Sequence, residues 1–215
     1  MYTRVVDASF PSSLALAVQV LKNGGLVAFP TDTVYGVGAL VSRPESVKRI
    51  YVVKGRPAEK AIPVLVADVH QLSLVASDVP PLALSLAEAF WPGGLTLVLP
   101  KAPSVSPVIT AGGPTVAVRI PNHPVALELI RQVGVPVATT SANRSGSPSP
   151  KTAAEVESQL AGWIEVILDG GPVPGGVEST VLDLTSPQPV VLRKGAIPVD
   201  EIEKVVGRSL VLHSP

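Results

Sequence analysis

Every apolar run in this 215-residue chain is cut short by Pro, Gly or a charged residue. None approaches the ~18 residues that a membrane-spanning helix needs. Hydrophobic residues make up 46% of the chain, so they must be buried through many short elements rather than a few long ones. The 23 prolines are scattered through turns rather than gathered in one tract, which argues for short, stiff connections. Short apolar runs at 26–29, 63–66, 95–99, 115–120, 136–140, 166–168, 180–184 and 190–192 read as strands. Helical patterns at 12–22, 44–53, 81–90, 124–133, 152–160 and 199–206 alternate with them. Ser12 or Ser13 is expected to cap the first helix, Ser42 the second, and Thr152 with Glu155 forms a capping-box pattern at the fifth. The expected fold is therefore α/β: a twisted, mixed sheet flanked by helices, in a single domain spanning 1–215 with no separate C-terminal domain.

Bulk charge narrows the chemistry. Seventeen basic and seventeen acidic side chains cancel, so no global field draws the chain to nucleic acid or an anionic membrane, and any anion site must be local. Cysteine is absent, which excludes disulfides and thiolate metal ligands and suits a reducing cytoplasm. His70, His123 and His213 are far apart and show no metal-ligand spacing. The N-terminus does not resemble a secretion signal, so a cytoplasmic location is expected.

Polar clusters beside the apolar runs mark the candidate site. After the strand at 26–29, Pro30 stops the run, and Thr31, Asp32, Thr33 and Tyr35 follow where a sheet would release its chain toward a ligand. Gly36 and Gly38 are expected to allow close backbone approach there. Lys54 and Arg56, separated by Gly55, read either as a solvated basic turn at a helix end or as a point charge and a planar fork aimed at phosphate oxygens. Arg119 lies inside a strand pattern and needs an anionic partner, either a ligand or an Asp or Glu of the chain. Arg193 repeats that design at another strand end. Ser141 and Asn143 follow a strand, and Gly175-Gly-Val-Glu-Ser-Thr180 places glycines, a carboxylate and hydroxyls before one. Neither a Walker A loop nor a dinucleotide-binding glycine fingerprint is present.

Taken in order, Phe29-Pro-Thr-Asp-Thr-Val-Tyr-Gly36, Lys54-Gly-Arg-Pro57, Trp91-Pro-Gly-Gly-Leu-Thr96, Val116-Ala-Val-Arg-Ile-Pro121, Ser141-Ala-Asn143, Gly176-Val-Glu-Ser-Thr180 and Leu192-Arg193 closely resemble the YrdC/Sua5 family. The resemblance implies a YrdC-like sheet with a large concave cleft and the activity of an L-threonylcarbamoyladenylate synthase, a nucleotidyltransferase. Such an enzyme makes threonylcarbamoyl-AMP and pyrophosphate from L-threonine, bicarbonate or CO2, and ATP, with Mg²⁺ held mainly by the ATP phosphates. The product feeds threonylcarbamoyladenosine formation in tRNA by downstream transfer proteins. By the same resemblance Thr33, Arg119, Thr139 and Ser179 fall at threonine positions. Arg56, Lys60, Thr115, Ser141, Asn143, Ser149 and Arg193 fall at ATP positions, with Lys54 and Arg56 as the catalytic cations and no dedicated protein metal ligands. Two positions depart from the family pattern: Lys60 stands where some relatives have Asn, and Leu65 where they place a His. The competing expectations are a non-catalytic RNA-binding module of the same fold, with weak RNA binding, and a carbamoyl-transfer domain.

Overall fold

The computed structural model describes residues 2–173 and 177–213. Gly175 and Gly176, part of the glycine-carboxylate-hydroxyl cluster, lie outside the described residues. Proline sets where helices begin. Five helices start on it: α1 (Pro11–Lys22), α2 (Pro44–Lys54), α3 (Pro81–Phe90), α4 (Pro107–Thr110) and α5 (Pro124–Val133). Its fixed φ suits the first helical position, where no N–H is needed. This overturns the expected serine caps. The N-cap of α1 is Phe10 and that of α2 is Arg43, neither with a side-chain bond, because Pro claims the next position and leaves each serine outside the cap. Thr152 does cap α6 (Ala153–Leu160), accepting from Glu155 N at 3.2 Å. α7 is Val199–Val206.

Among the described residues eleven strands form one mixed sheet, ordered β1-β8-β2-β3-β7-β4-β6-β5-β9-β10-β11. They are β1 (Arg4–Asp7), β2 (Val27–Phe29), β3 (Gly36–Leu40), β4 (Val64–Leu65), β5 (Leu95–Pro100), β6 (Thr115–Arg119), β7 (Val137–Ser141), β8 (Val166–Asp169), β9 (Thr180–Asp183), β10 (Val190–Arg193) and β11 (Val211–Leu212). Strand β3 bears out the expectation that Gly36 and Gly38 allow close backbone approach, and Gly36 also lines the cleft described below. They lie in a strand paired with β2 on one side and β7 on the other. A Cβ on Gly36 would lie 2.7 Å from Thr139 Cγ2, and one on Gly38 would lie 2.7 Å from Val137 Cγ1. What comes close is the neighbouring strand's side chains.

The alternation of side chains along each strand gives the sheet two different faces. On one, Ala28, Ala138, Ile167, Leu97 and Val118 join a large core packed under α2 and α3. On the other, Val27, Phe29, Val137 and Leu168 pack against Leu14 and Leu21 of α1 and Leu129 and Ile130 of α5. That second core reaches Leu65 on β4. Past it the same face presents Thr139, Arg119 and Thr96, each alternating with a residue of the first core and belonging to neither. A polar floor therefore begins where the helical cover stops. No described helix is long and apolar enough to cross a membrane.

Candidate active site

The polar floor lies in a cleft of about 310 Å³. Eight of the residues anticipated from the sequence line it: Thr33, Arg56, Lys60, Arg119, Thr139, Ser141, Ser179 and Arg193. They come from six separate stretches of chain, brought together because β7, β4, β6, β5 and β9 are neighbours in the sheet. Leu65, the departure from the family pattern, also lines the cleft. Lys54, Asn143, Thr115 and Ser149 do not.

At one end the turn after β2 is wound around a hydroxyl. Thr31 Oγ1 donates to Val34 O at 2.7 Å, accepts from Thr33 N at 3.2 Å, and lies 3.0 Å from Thr33 Oγ1. Arg119, at the C-terminal end of β6, reaches into this turn. Its Nε donates to Gly93 O at 2.8 Å, Nη1 donates to Thr33 Oγ1 at 3.0 Å, and Nη2 pairs with Asp32 Oδ1. That carboxylate oxygen also accepts from Asn122 N at 2.9 Å. The anionic partner that Arg119 requires is thus within the chain, and Asp32 is that partner as well as a turn residue. Burial lowers the Arg119 pKa and the Asp32 charge opposes the shift.

Thr96 completes the hydroxyl-rich floor, with Oγ1 2.7 Å from Ser179 Oγ. In the sequence Thr96 stands out only as part of the motif at 91–96. Its signal was a polar residue in the alternating Leu95-Thr-Leu97 run, pointing away from the core side. Among the described residues no buried side-chain nitrogen or oxygen lacks a hydrogen-bond partner, so these hydroxyls are held in place.

The other end is cationic. Arg56 follows the left-handed Gly55 that ends α2, and curls back to donate to Lys60 O at 3.0 Å and Ala61 O at 2.7 Å. Arg193 donates through Nε and Nη2 to Ser179 O at 3.1 and 2.9 Å, while Nη1 pairs with Glu178. Ser149 is tied to the same carboxylate at 3.3 Å. Glu178 belongs to one of the polar clusters expected to mark the site, but the sequence assigns it no role; the structure places it in the cleft lining.

Lys54 departs most from expectation. It is buried, and its ammonium donates to the carbonyls of Ser141 and Asn143 behind the cleft wall. Its own carbonyl accepts from Ser145 N at 2.8 Å, so α2 and the loop after β7 are locked together. Asn143 extends the lock by donating to Arg144 O and Ser147 O at 2.9 and 2.7 Å. Burial, with the Arg56 charge adding to it, brings the Lys54 pKa down to about 7. The residue holds the 141–147 loop in place and does not reach into the cleft. Thr115, at the opposite end of β6 from Arg119, lies outside the cleft because a five-residue strand separates the two side chains by its whole length.

A family model for the Sua5, YciO and YrdC proteins, described as telomere recombination, matches residues 19–195. A curated protein of Pyrococcus abyssi, named threonylcarbamoyl-AMP synthase, is 50% identical over 194 residues, covering 90% of this chain and 57% of that protein. The crystal structure of P. abyssi Sua5 complexed with L-threonine superimposes with a TM-score of 0.92 at 47% identity, over 99% of this chain and 61% of that one. The crystal structure of Escherichia coli YciO does so with a TM-score of 0.82 at 26% identity, over 94% of this chain and 98% of that one. The chain thus spans little more than half the length of the P. abyssi synthase it resembles.

Proposed function

This chain belongs to the Sua5/YciO/YrdC family, and from that premise we propose that its cleft makes threonylcarbamoyl-AMP and pyrophosphate from L-threonine, bicarbonate or CO2, and ATP. The observation that carries this reading is the convergence of a hydroxyl-lined end around Arg119 and a cationic end around Arg56, Lys60 and Arg193 in one cleft. The name of the P. abyssi synthase and the threonine in the P. abyssi structure support it.

In this reading threonine sits at the Arg119 end. The Nη N–H groups of Arg119 not given to Thr33 and Asp32 meet its carboxylate, and Thr33, Thr139 and Ser179 take its polar atoms. The threonine amine captures CO2 as a carbamate. A carbamate oxygen then attacks the α-phosphorus of ATP and pyrophosphate leaves. Arg56, Lys60 and Arg193 neutralise and orient the phosphates, which is how positioning and fixed charge supply most of the catalysis in such transfers. Ser141 lines the cleft, and Asn143 and Lys54 hold its loop. Thr115 and Ser149 do not line the cleft, so their part is indirect.

Mg²⁺ would bring further charge neutralisation to the triphosphate. Among the described residues no three carboxylates or histidines converge, and Glu178 is the one carboxylate lining the cleft. That donor set fits an ion held chiefly by phosphate oxygens and water. The product would pass to proteins that modify tRNA.

The test is pyrophosphate release with ATP and bicarbonate, with and without L-threonine. Release should depend on threonine and fall at least about tenfold in Arg56→Ala, the scale of one lost charge-assisted contact. Lys54→Ala should lower it through a displaced 141–147 loop. Release by the unaltered chain that is indifferent to threonine would overturn the assignment.

A further inference from the structure

The cationic end of the cleft contains an anion of its own. Glu178 holds Arg193, which lines the cleft where the nucleotide is placed, through one carboxylate oxygen and Ser149 through the other. Its charge also acts on Lys54 and Arg56, in each case favouring the cationic form. A single carboxylate thus stands among the cations where phosphates are expected to bind.

The backbone beneath Glu178 is fixed. Ala196 N donates to Glu178 O at 2.8 Å, and Gly195 packs so tightly that a Cβ there would come within 2.3 Å of the same oxygen. The side chain is not fixed in the same way. In the Glu178–Arg193 pair the two side chains are 40% and 44% exposed, and the second carboxylate bond, to Ser149, is long at 3.3 Å. Asp32 on Arg119 is the contrasting case: 17% exposed against a 7% exposed arginine, with a backbone N–H on the same oxygen. A buried pair of that kind is costly to break, whereas an exposed one exchanges partners readily.

We propose that Glu178 is an internal counter-ion occupying the edge of Arg193 that a polyphosphate takes, so that nucleotide binding proceeds by displacing Glu178 and is weakened by that competition. The inference rests on the nucleotide reading of this end. It assigns to Glu178 a part in tuning affinity, distinct from any contact with the reacting atoms. The ligand class is any polyphosphate able to present two or more oxygens to Arg193 and Arg56.

Calorimetric titration of inorganic pyrophosphate and of ATP, in EDTA so that no metal contributes, tests it. Glu178→Gln should bind pyrophosphate about fivefold more tightly than the unaltered chain, the scale of one solvent-exposed ion pair. Glu59→Gln, which removes an exposed carboxylate from the loop carrying Lys60, should give no comparable gain. Unchanged or weaker binding in Glu178→Gln, or an equal gain in Glu59→Gln, would overturn the displacement. A crystal structure of the unaltered chain with pyrophosphate is an independent check: the Glu178–Arg193 pair should be broken, and an intact pair beside bound pyrophosphate would sink the idea. Threonine-dependent pyrophosphate release together with unchanged affinity in Glu178→Gln removes the counter-ion alone. Absence of any binding of ATP or pyrophosphate removes the function with it.

Discussion

The two ends of the cleft are built on one plan, an arginine at the end of a strand facing a carboxylate of the same chain, and they differ in burial. Arg119 and Asp32 are enclosed, and each has backbone partners that fix it: Gly93 O for the arginine and Asn122 N for the carboxylate. Arg193 and Glu178 are half exposed, and the carboxylate depends on a serine hydroxyl for its remaining bond. Charges withdrawn from water need every hydrogen bond satisfied, so the first end is rigid. Charges left partly in water lose little on separating, so the second can yield to a ligand. Under the function proposed above, the difference suits a site whose pre-built end fits one small zwitterion and whose yielding end admits a polyanion.

The sharpest way to break this comparison is Arg119→Ala. It leaves the largely enclosed Asp32, 17% exposed, without its cationic partner, and should cost about 3 kcal/mol in denaturant unfolding. A loss below about 1 kcal/mol would show that the end is not pre-built. Lys54 comes next, because it anchors the 141–147 loop beside the cleft. Its pKa near 7 in the folded chain lies below the usual 10.5, so the unfolded chain binds more protons between those values. Stability should therefore rise from pH 7 toward pH 10.5 and lose that contribution as pH falls through 7, by at most about 5 kcal/mol. Thermal melts across that range should show the rise in the unaltered chain relative to Lys54→Met, and parallel profiles would refute it.

Gly38→Ala probes the strand that carries the rigid end. The new methyl would press on Val137 Cγ1 at 2.7 Å and Thr139 Oγ1 at 2.9 Å, costing about 1–3 kcal/mol in chemical denaturation. The smallest effect belongs to the yielding end. Arg193→Gln should change stability by less than about 1 kcal/mol in the same assay, and a larger loss would place it with Arg119.

Much of this molecule can be read from its sequence because the signals are local. The helices at Pro81–Phe90, Pro124–Val133 and Val199–Val206 have the bounds expected from periodicity, proline and glycine alone. The order of short motifs, from Thr31-Asp-Thr33 to Arg193, points to the family and to most of the cleft lining. Strand β3 was hidden because Gly36 and Gly38 have poor intrinsic strand preference, and only pairing on both sides makes them a strand. Side-chain partners were hidden for a related reason. Asp32 and Arg119 are 87 residues apart, and Lys54 and Asn143 are 89 apart. Sequence alone determined which chemical groups exist and in what order, since periodicity and turn chemistry act over a few residues. Tertiary structure decided which charges face each other and which face the cleft: that depends on strand order and burial, and the cost of removing a charge from water is set by everything packed around it.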